Sequence, residues 1–169
     1  RLPICKQPRP PRRRDEARGL LASEEALYYV SGYLNGLMMA QGLADQFDLA
    51  LVDETAHFSI KDGINSTRKP IVFYKHRDPS DLRSKLKSEL KAGQRPLVIT
   101  DGVFPTFGVI APVPEIIEEL EPYNGILCLD DAHAVGVLGA NGRGTCEHFG
   151  LKLSDKLIMS GTLSKAFGG

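Results

Sequence analysis

With 169 residues, 42% of them hydrophobic and 25% charged, the chain suits a single domain around one buried core. Its 21 Lys and Arg balance 21 Asp and Glu, which gives no global argument for nucleic acid or a membrane surface, and no apolar run approaches the roughly 20 residues of a spanning helix. Three cysteines, Cys5, Cys128 and Cys146, are too sparse and too odd in number for a disulfide framework, so a reducing cytoplasm is the expected setting.

Residues 1–19 hold Pro3, Pro8, Pro10 and Pro11 among basic side chains, and residues 1–18 carry seven Lys or Arg against only Asp15 and Glu16. This composition cannot bury enough apolar surface to pack and predicts a disordered arm. Asp15 and Glu16 interrupt the pattern that an Arg-rich transit segment needs. Ser31 then caps a helix that carries Leu34, Leu37, Met38 and Leu43 on one broad face, weakened somewhat by Gly36 and Gly42. Residues 49–52 form a short apolar strand ended by Asp53 and Glu54, and residues 55–64 read as a brief helix containing His57.

A strand at 71–74 precedes Asp78-Pro79, a capping residue followed by proline at the first helical position, and a helix through Leu82, Leu86 and Leu90. Further strands are expected at 97–100, 126–129 and 157–159, with a helix at 114–120. Five short apolar strands separated by helices predict an α/β fold, a mostly parallel sheet with helices on both faces. In such sheets the chemistry lies just past the carboxyl ends of the strands. Those ends carry Asp53, Asp101, Asp130 and a glycine-flanked loop from 161 to 165 that delivers Lys165.

Several functions are excluded by missing motifs. There is no GxxxxGK[ST] phosphate loop, no dinucleotide fingerprint at Gly142-Arg143-Gly144, and no GxSxG elbow to give a hydrolase its nucleophile. Cys128, His133, Cys146 and His148 do not have the spacing of a structural zinc site, so no metal is expected. What remains is Lys165 opposite Asp130 and His133, the side chains that Schiff-base chemistry with an aldehyde cofactor requires.

Six motifs in order, SGYLN (31–35), DETAHFS (53–59), TDGVF (100–104), DDAHAVGVLGANGRG (130–144), EHFG (147–150) and GTLSKAFG (161–168), resemble the α-oxoamine synthase group of fold-type I pyridoxal-phosphate enzymes, in the class II aminotransferase superfamily. The resemblance covers about residues 23–169 and implies a truncated pyridoxal-phosphate-dependent transferase large domain. It implies that Lys165 condenses with pyridoxal 5'-phosphate and later moves the substrate's α-proton. Asp130 would face the pyridine nitrogen, His133 would hydrogen-bond the 3'-oxygen, and His57 would stack on the ring. Backbone N–H groups of Gly32 and Tyr33, with the Thr162 hydroxyl, would hold the phosphate.

The activity so implied is a biosynthetic acyl transfer, the decarboxylative condensation of an amino acid with an acyl-CoA to an α-amino ketone, in a cytoplasmic homodimer without nucleic-acid or membrane partners. The alternatives are another fold-type I reaction, transamination or aldol-type cleavage, which shares Lys165 and Asp130, and an inactive partial chain that at most binds the cofactor. Two departures stand out. Pro105 occupies a position where the group usually has serine, leaving a neighbour such as Thr106 to supply a hydroxyl, and the sequence stops at Gly169. Residues 20–169 are therefore expected to be a partial large domain without its C-terminal domain.

Overall fold

The structure, a computed structural model, describes residues 11–168, and the chain divides into two units, residues 1–30 and 31–169. The first unit corrects part of the sequence expectation. Residues 1–10 of the expected arm lie outside the described residues, but Pro11–Leu21 form helix α1. Pro11 opens it at the one place where a missing N–H costs nothing, and the arginines and alanine that follow are strong helix formers. Asp15 pairs with Arg18 one turn later at 3.7 Å.

In the second unit the apolar segments become strands β1 (Leu49–Asp53), β2 (Ile71–Tyr74), β3 (Pro96–Asp101), β6 (Ile126–Asp130) and β7 (Leu157–Ser160). They form one fully parallel sheet in the order β2-β1-β3-β6-β7. A separate antiparallel hairpin, β4 (Val103–Phe104) with β5 (Val109–Ile110), was not expected; its arms are two residues each, too short to leave an alternating pattern. Helices α2 (Asn35–Gly42), α3 (Phe58–Asn65), α4 (Pro79–Glu89), α5 (Val113–Leu120) and the single turn α6 (Thr145–His148) complete the unit. None of the helices among the described residues is long and apolar enough to cross a membrane.

Every residue of β1, β3 and β6 is buried, as a parallel sheet covered on both faces demands. The two faces have separate cores. Leu97 and Ile99 of β3 pack with Met39 and Ala40 of α2 and Ile60 and Ile64 of α3, whereas Val98 packs with Leu82 and Leu86 of α4 and Ile116 and Leu120 of α5. Because side chains alternate along a strand, the face of each terminal acid follows. Asp101 and Asp130 share the α2/α3 side, and Asp53 shares the α4/α5 side. Cys128 and Cys146 belong to opposite cores.

Helix α2 turns a slightly different face inward than its leucines suggest: Asn35, Gly36, Met39 and Ala40 are buried, while Leu37 and Met38 are only half-buried. The reason is a glycine pair. A Cβ on Gly36 would lie 2.5 Å from the Ser59 carbonyl oxygen and 2.7 Å from Ile60 Cα, and a Cβ on Gly63 would strike the backbone of Gly36 and Leu37. The two helices therefore touch backbone to backbone. Gly63→Ala should cost roughly 1–3 kcal/mol through overpacking, read as a lower urea midpoint at unchanged slope. Gly42→Ala, with nothing within 4 Å of its Cβ, should leave stability equal or higher.

His57 is also placed differently. It is the N-cap of α3 with extended backbone, φ −53° and ψ 142°, and its Nδ1 accepts from Ser59 N–H at 3.3 Å. The turn before it is pinned by two acids. Asp53 accepts from Thr55 N–H at 2.8 Å, and Asp101 accepts from His57 N–H at 2.8 Å, so residues 53–57 cannot enter the helix. By contrast, Asp78 caps α4 as expected, accepting from Ser80 and Asp81 N–H at 3.0 Å, with Pro79 at the first position.

Candidate functional site

The chain runs from β1 outward to β2 and then back to β3 on the other side of β1, so the strand order reverses between the carboxyl ends of β1 and β3. A crevice at such a reversal is where an open parallel sheet binds its ligand. Asp101 and His57 stand there, and Asp130 ends the next strand, directly beside Asp101 in register.

Asp130 is 4% exposed. Burial pushes its carboxyl above the usual range, opposed by hydrogen bonds from Asn35 Nδ2 at 2.8 Å and Ala132 N–H at 3.1 Å and by the charges of Lys165 and His57. Asp101, 1% exposed, is pushed up to about 7 by the same loss of water, with the His57 N–H as its counterweight and Asp130 and Asp53 adding repulsion. Burial lowers Lys165 below the ordinary lysine range, against the pull of Asp130 and Asp101. A lysine so placed is more readily the neutral amine that nucleophilic chemistry needs.

Lys165 Nζ lies 2.6 Å from His133 Nε2. His133 and His57 are both half-buried, and burial lowers the pKa of each. Their rings are 6.4 Å apart at 57°. The His57 ring is held by Ser59, whose Oγ is 2.7 Å from Nδ1, and by Phe58 at 4.1 Å between ring centres. At the other end of the site the turn Gly32–Leu34, capped by Ser31, meets the β7 loop: a Cβ on Gly32 would stand 2.8 Å from Thr162 Oγ1. Tyr33 N–H points to Ser31 Oγ at 3.3 Å, and its phenol donates to Asp62 Oδ2 at 2.6 Å.

The structure thus brings together Lys165, His133, Asp130 and His57, and separately Gly32 and Thr162. It does not bring Asp53 into this group. That acid turns to the opposite face, where Thr55, Arg77 N–H at 2.9 Å and His76 Nδ1 at 3.0 Å occupy it. His148 packs edge-on against Phe149. Pro105 and Thr106 lie exposed in the turn of the β4–β5 hairpin.

Asp131, next to Asp130 but on the other face, is a structural lock: Thr145 donates to it through N–H and Oγ1, each at 2.6 Å. Gly144, at φ 92°, has no room for a side chain, because a Cβ would strike Asp131 Oδ2. Glu147 clamps the glycine loop from outside, accepting from Asn141 Nδ2 at 2.6 Å and from Arg143 N–H at 3.1 Å. Sequence reading assigned no role to Asn35, although it lies in the SGYLN motif; its contact spans 95 positions and only tertiary structure shows it.

The sequence model of the family described as aminotransferase class I and II matches residues 14–169. The 8-amino-7-oxononanoate synthase of Thermosipho melanesiensis is 45% identical over 145 residues, 86% of this chain and 37% of that protein. Among solved structures, a serine palmitoyltransferase from S. paucimobilis with a PLP–myriocin aldimine bound is similar with a TM-score of 0.82 at 30% identity, over 90% of this chain and 38% of that one. The 8-amino-7-oxononanoate synthase of Francisella tularensis is similar with a TM-score of 0.77 at 29% identity, over 94% and 45% of the respective chains. The chain spans less than half the length of each of these relatives.

Proposed function

The chain belongs to the aminotransferase class I and II family, and on that premise we propose that residues 31–169 form the cofactor seat of a pyridoxal 5'-phosphate-dependent acyltransferase of the α-oxoamine synthase kind. The reaction joins an amino acid to an acyl-CoA thioester, releasing carbon dioxide and the free thiol and leaving an α-amino ketone. The observation that carries this reading is the meeting of Lys165, His133, His57 and the buried Asp130 at the carboxyl edge of one parallel sheet.

The residues present fit the cofactor. Gly32 passes so close to Thr162 that a Cβ would clash with it, which sets the Gly32 backbone beside the Thr162 hydroxyl; the Tyr33 N–H, held by Ser31 Oγ, would have to turn from it to join them on a phosphate. The buried carboxylate of Asp130 suits a protonated ring nitrogen. When bound, pyridoxal phosphate supplies an aldehyde for amine capture and a ring that withdraws electrons from the substrate's α-carbon.

The chain's own residues do the rest. Lys165 would be the amine that holds the cofactor's aldehyde, and its Nζ is the group that would take a proton from the substrate's α-carbon. His133, its Nε2 2.6 Å from that amine, orients it and would offer a donor to the cofactor's 3'-oxygen. Asp130 holds a negative charge in a dry setting, where it acts far more strongly than in water. His57, fixed by Ser59 and Phe58, covers the ring face and excludes water.

A homodimer is part of the same reading; the exposed Tyr33, Phe58, Val137 and Phe167 are apolar surface that a second subunit would cover. The test is direct. The purified chain with pyridoxal phosphate, an acyl-CoA, and glycine or alanine should release free thiol in step with carbon dioxide. Amino transfer to a keto acid without thiol release would replace the synthase reading with transamination, and neither product would limit the chain to cofactor binding.

A further inference from the structure

We propose that Asn35 is a positioning residue that sets both the orientation and the charge of Asp130; the proposal rests on the cofactor seat argued above. Asn35 opens α2 and is wholly buried. Its Nδ2 donates to Asp130 Oδ1 at 2.8 Å, and Ala132 N–H donates to the same oxygen at 3.1 Å. Within the described hydrogen bonds Asp130 is thus gripped by one oxygen only. Two donors on Oδ1 stop the carboxylate from rotating and leave Oδ2 as the oxygen presented to a ligand.

The assignment of Nδ2 as the partner follows from chemistry, since an ionised carboxylate accepts and never donates. The backbone that carries the amide is fixed as well. Gly36, the next residue, sits against the Ser59–Ile60 backbone of α3, which fixes the first turn of α2. Burial pushes Asp130 toward its neutral form, and the Asn35 hydrogen bond is the largest influence in the opposite direction. An apolar residue of the same size would fill the space and lose the charge. Asn35 therefore acts on a protonated aromatic nitrogen through Asp130 without touching it.

The test uses the purified chain in two measurements, carboxyl carbon-13 NMR of aspartate-labelled protein without cofactor, and pyridoxal phosphate binding. Asn35→Ala should raise the titration midpoint of Asp130 by about one pH unit, the equivalent of a tenfold shift in its proton equilibrium. Cofactor binding should weaken about tenfold. Asn35→Leu, which fills the site but carries no donor, should behave alike. In an Asp130→Asn background, Asn35→Ala should change cofactor binding less than twofold, because the two residues act as one unit.

One readout needs no substitution: the Asn35 side-chain amide resonance of the unsubstituted chain should shift with the same midpoint as the Asp130 carboxyl. An amide resonance that ignores that titration overturns the proposal, and so do equal binding losses with and without the Asp130 charge. Failure of the unsubstituted chain to take up pyridoxal phosphate at Lys165 overturns the cofactor seat instead, and is distinguishable because the Asn35–Asp130 coupling is measured without cofactor.

Discussion

Lys165→Ala should abolish covalent capture of pyridoxal 5'-phosphate: borohydride reduction of the unsubstituted chain with the cofactor should fix one adduct on Lys165, and the variant should yield none there. The expectation is specific to this lysine. Burial depresses the pKa of its ammonium, and His133 Nε2 stands 2.6 Å away to take part of its proton. Lys61 and Lys69 are placed differently: Lys61 Nζ donates to the Glu54 carbonyl at 2.7 Å, and each amine lies 5.8 Å from an aromatic ring centre, Phe73 and Phe47 respectively. The loss should exceed a hundredfold in capture at pH 7.5, since no other amine can replace a positioned one. An adduct of equal yield on another lysine, seen by peptide mass, would remove Lys165 from the centre of the site.

The sequence carried the sheet and most of the site for an identifiable reason. Strands covered on both faces are continuous apolar runs, and each of the five ends in a residue with a polar group, buried at the carboxyl edge of the sheet. Asp130, His133 and Lys165 follow from those ends. What could not be read was anything decided by which face an acid takes. Asp53, Asp101 and Asp130 look alike at the ends of their strands, yet Asp53 is used up by Thr55, His76 and Arg77 on the α4/α5 side. Counting residues in each strand would have separated them, because each core hydrophobe fixes the face of the acid that follows it.

Other elements were hidden for local reasons. The hairpin arms are two residues long, α6 is a single turn following Gly144, and α1 is too rich in charge to resemble a packed helix. Asn35 differs from all of these. It was visible in its motif, but a buried amide on a helix end is as often a cap as a partner, and the 95-residue contact to Asp130 decides between them.

Stability should fall as the pH rises from about 4 to 7, the reverse of what paired surface carboxylates produce. Asp101 is raised from 3.8 to about 7, and Asp131 from 3.8 to about 6, in both cases by burial first. Between the unfolded and folded values, the folded chain holds protons that the unfolded chain has lost. Stability therefore declines through that window and levels off above it. For Asp101 the full effect is on the order of 4 kcal/mol, a large share of the roughly 5–15 kcal/mol that holds a domain folded. His57 and His133 act in the opposite sense, because burial lowers them and stability is lost as the pH falls through that lowered range. Both imidazoles are only half-buried and partly screened by water, so the acids set the sign above pH 6.

Asp101→Asn isolates this cost. The amide oxygen can still accept the His57 N–H, which keeps the turn that presents the imidazole, while the charge is gone. Urea unfolding at pH 4, 5.5 and 8 should show the variant close to the unsubstituted chain at pH 4 and more stable at pH 8, with most of the divergence between pH 4 and 7. Parallel curves would mean that Asp101 stays charged at low pH and that its burial is offset by a partner. The predicted divergence locates the cost at the sheet edge itself. Two carboxyl groups buried side by side in register, Asp101 and Asp130, oppose folding unless a proton or a cation stands with them. A ligand that brings a positive ring nitrogen to Asp130 offsets part of that repulsion, so pyridoxal phosphate should stabilise the chain more at pH 8 than at pH 5.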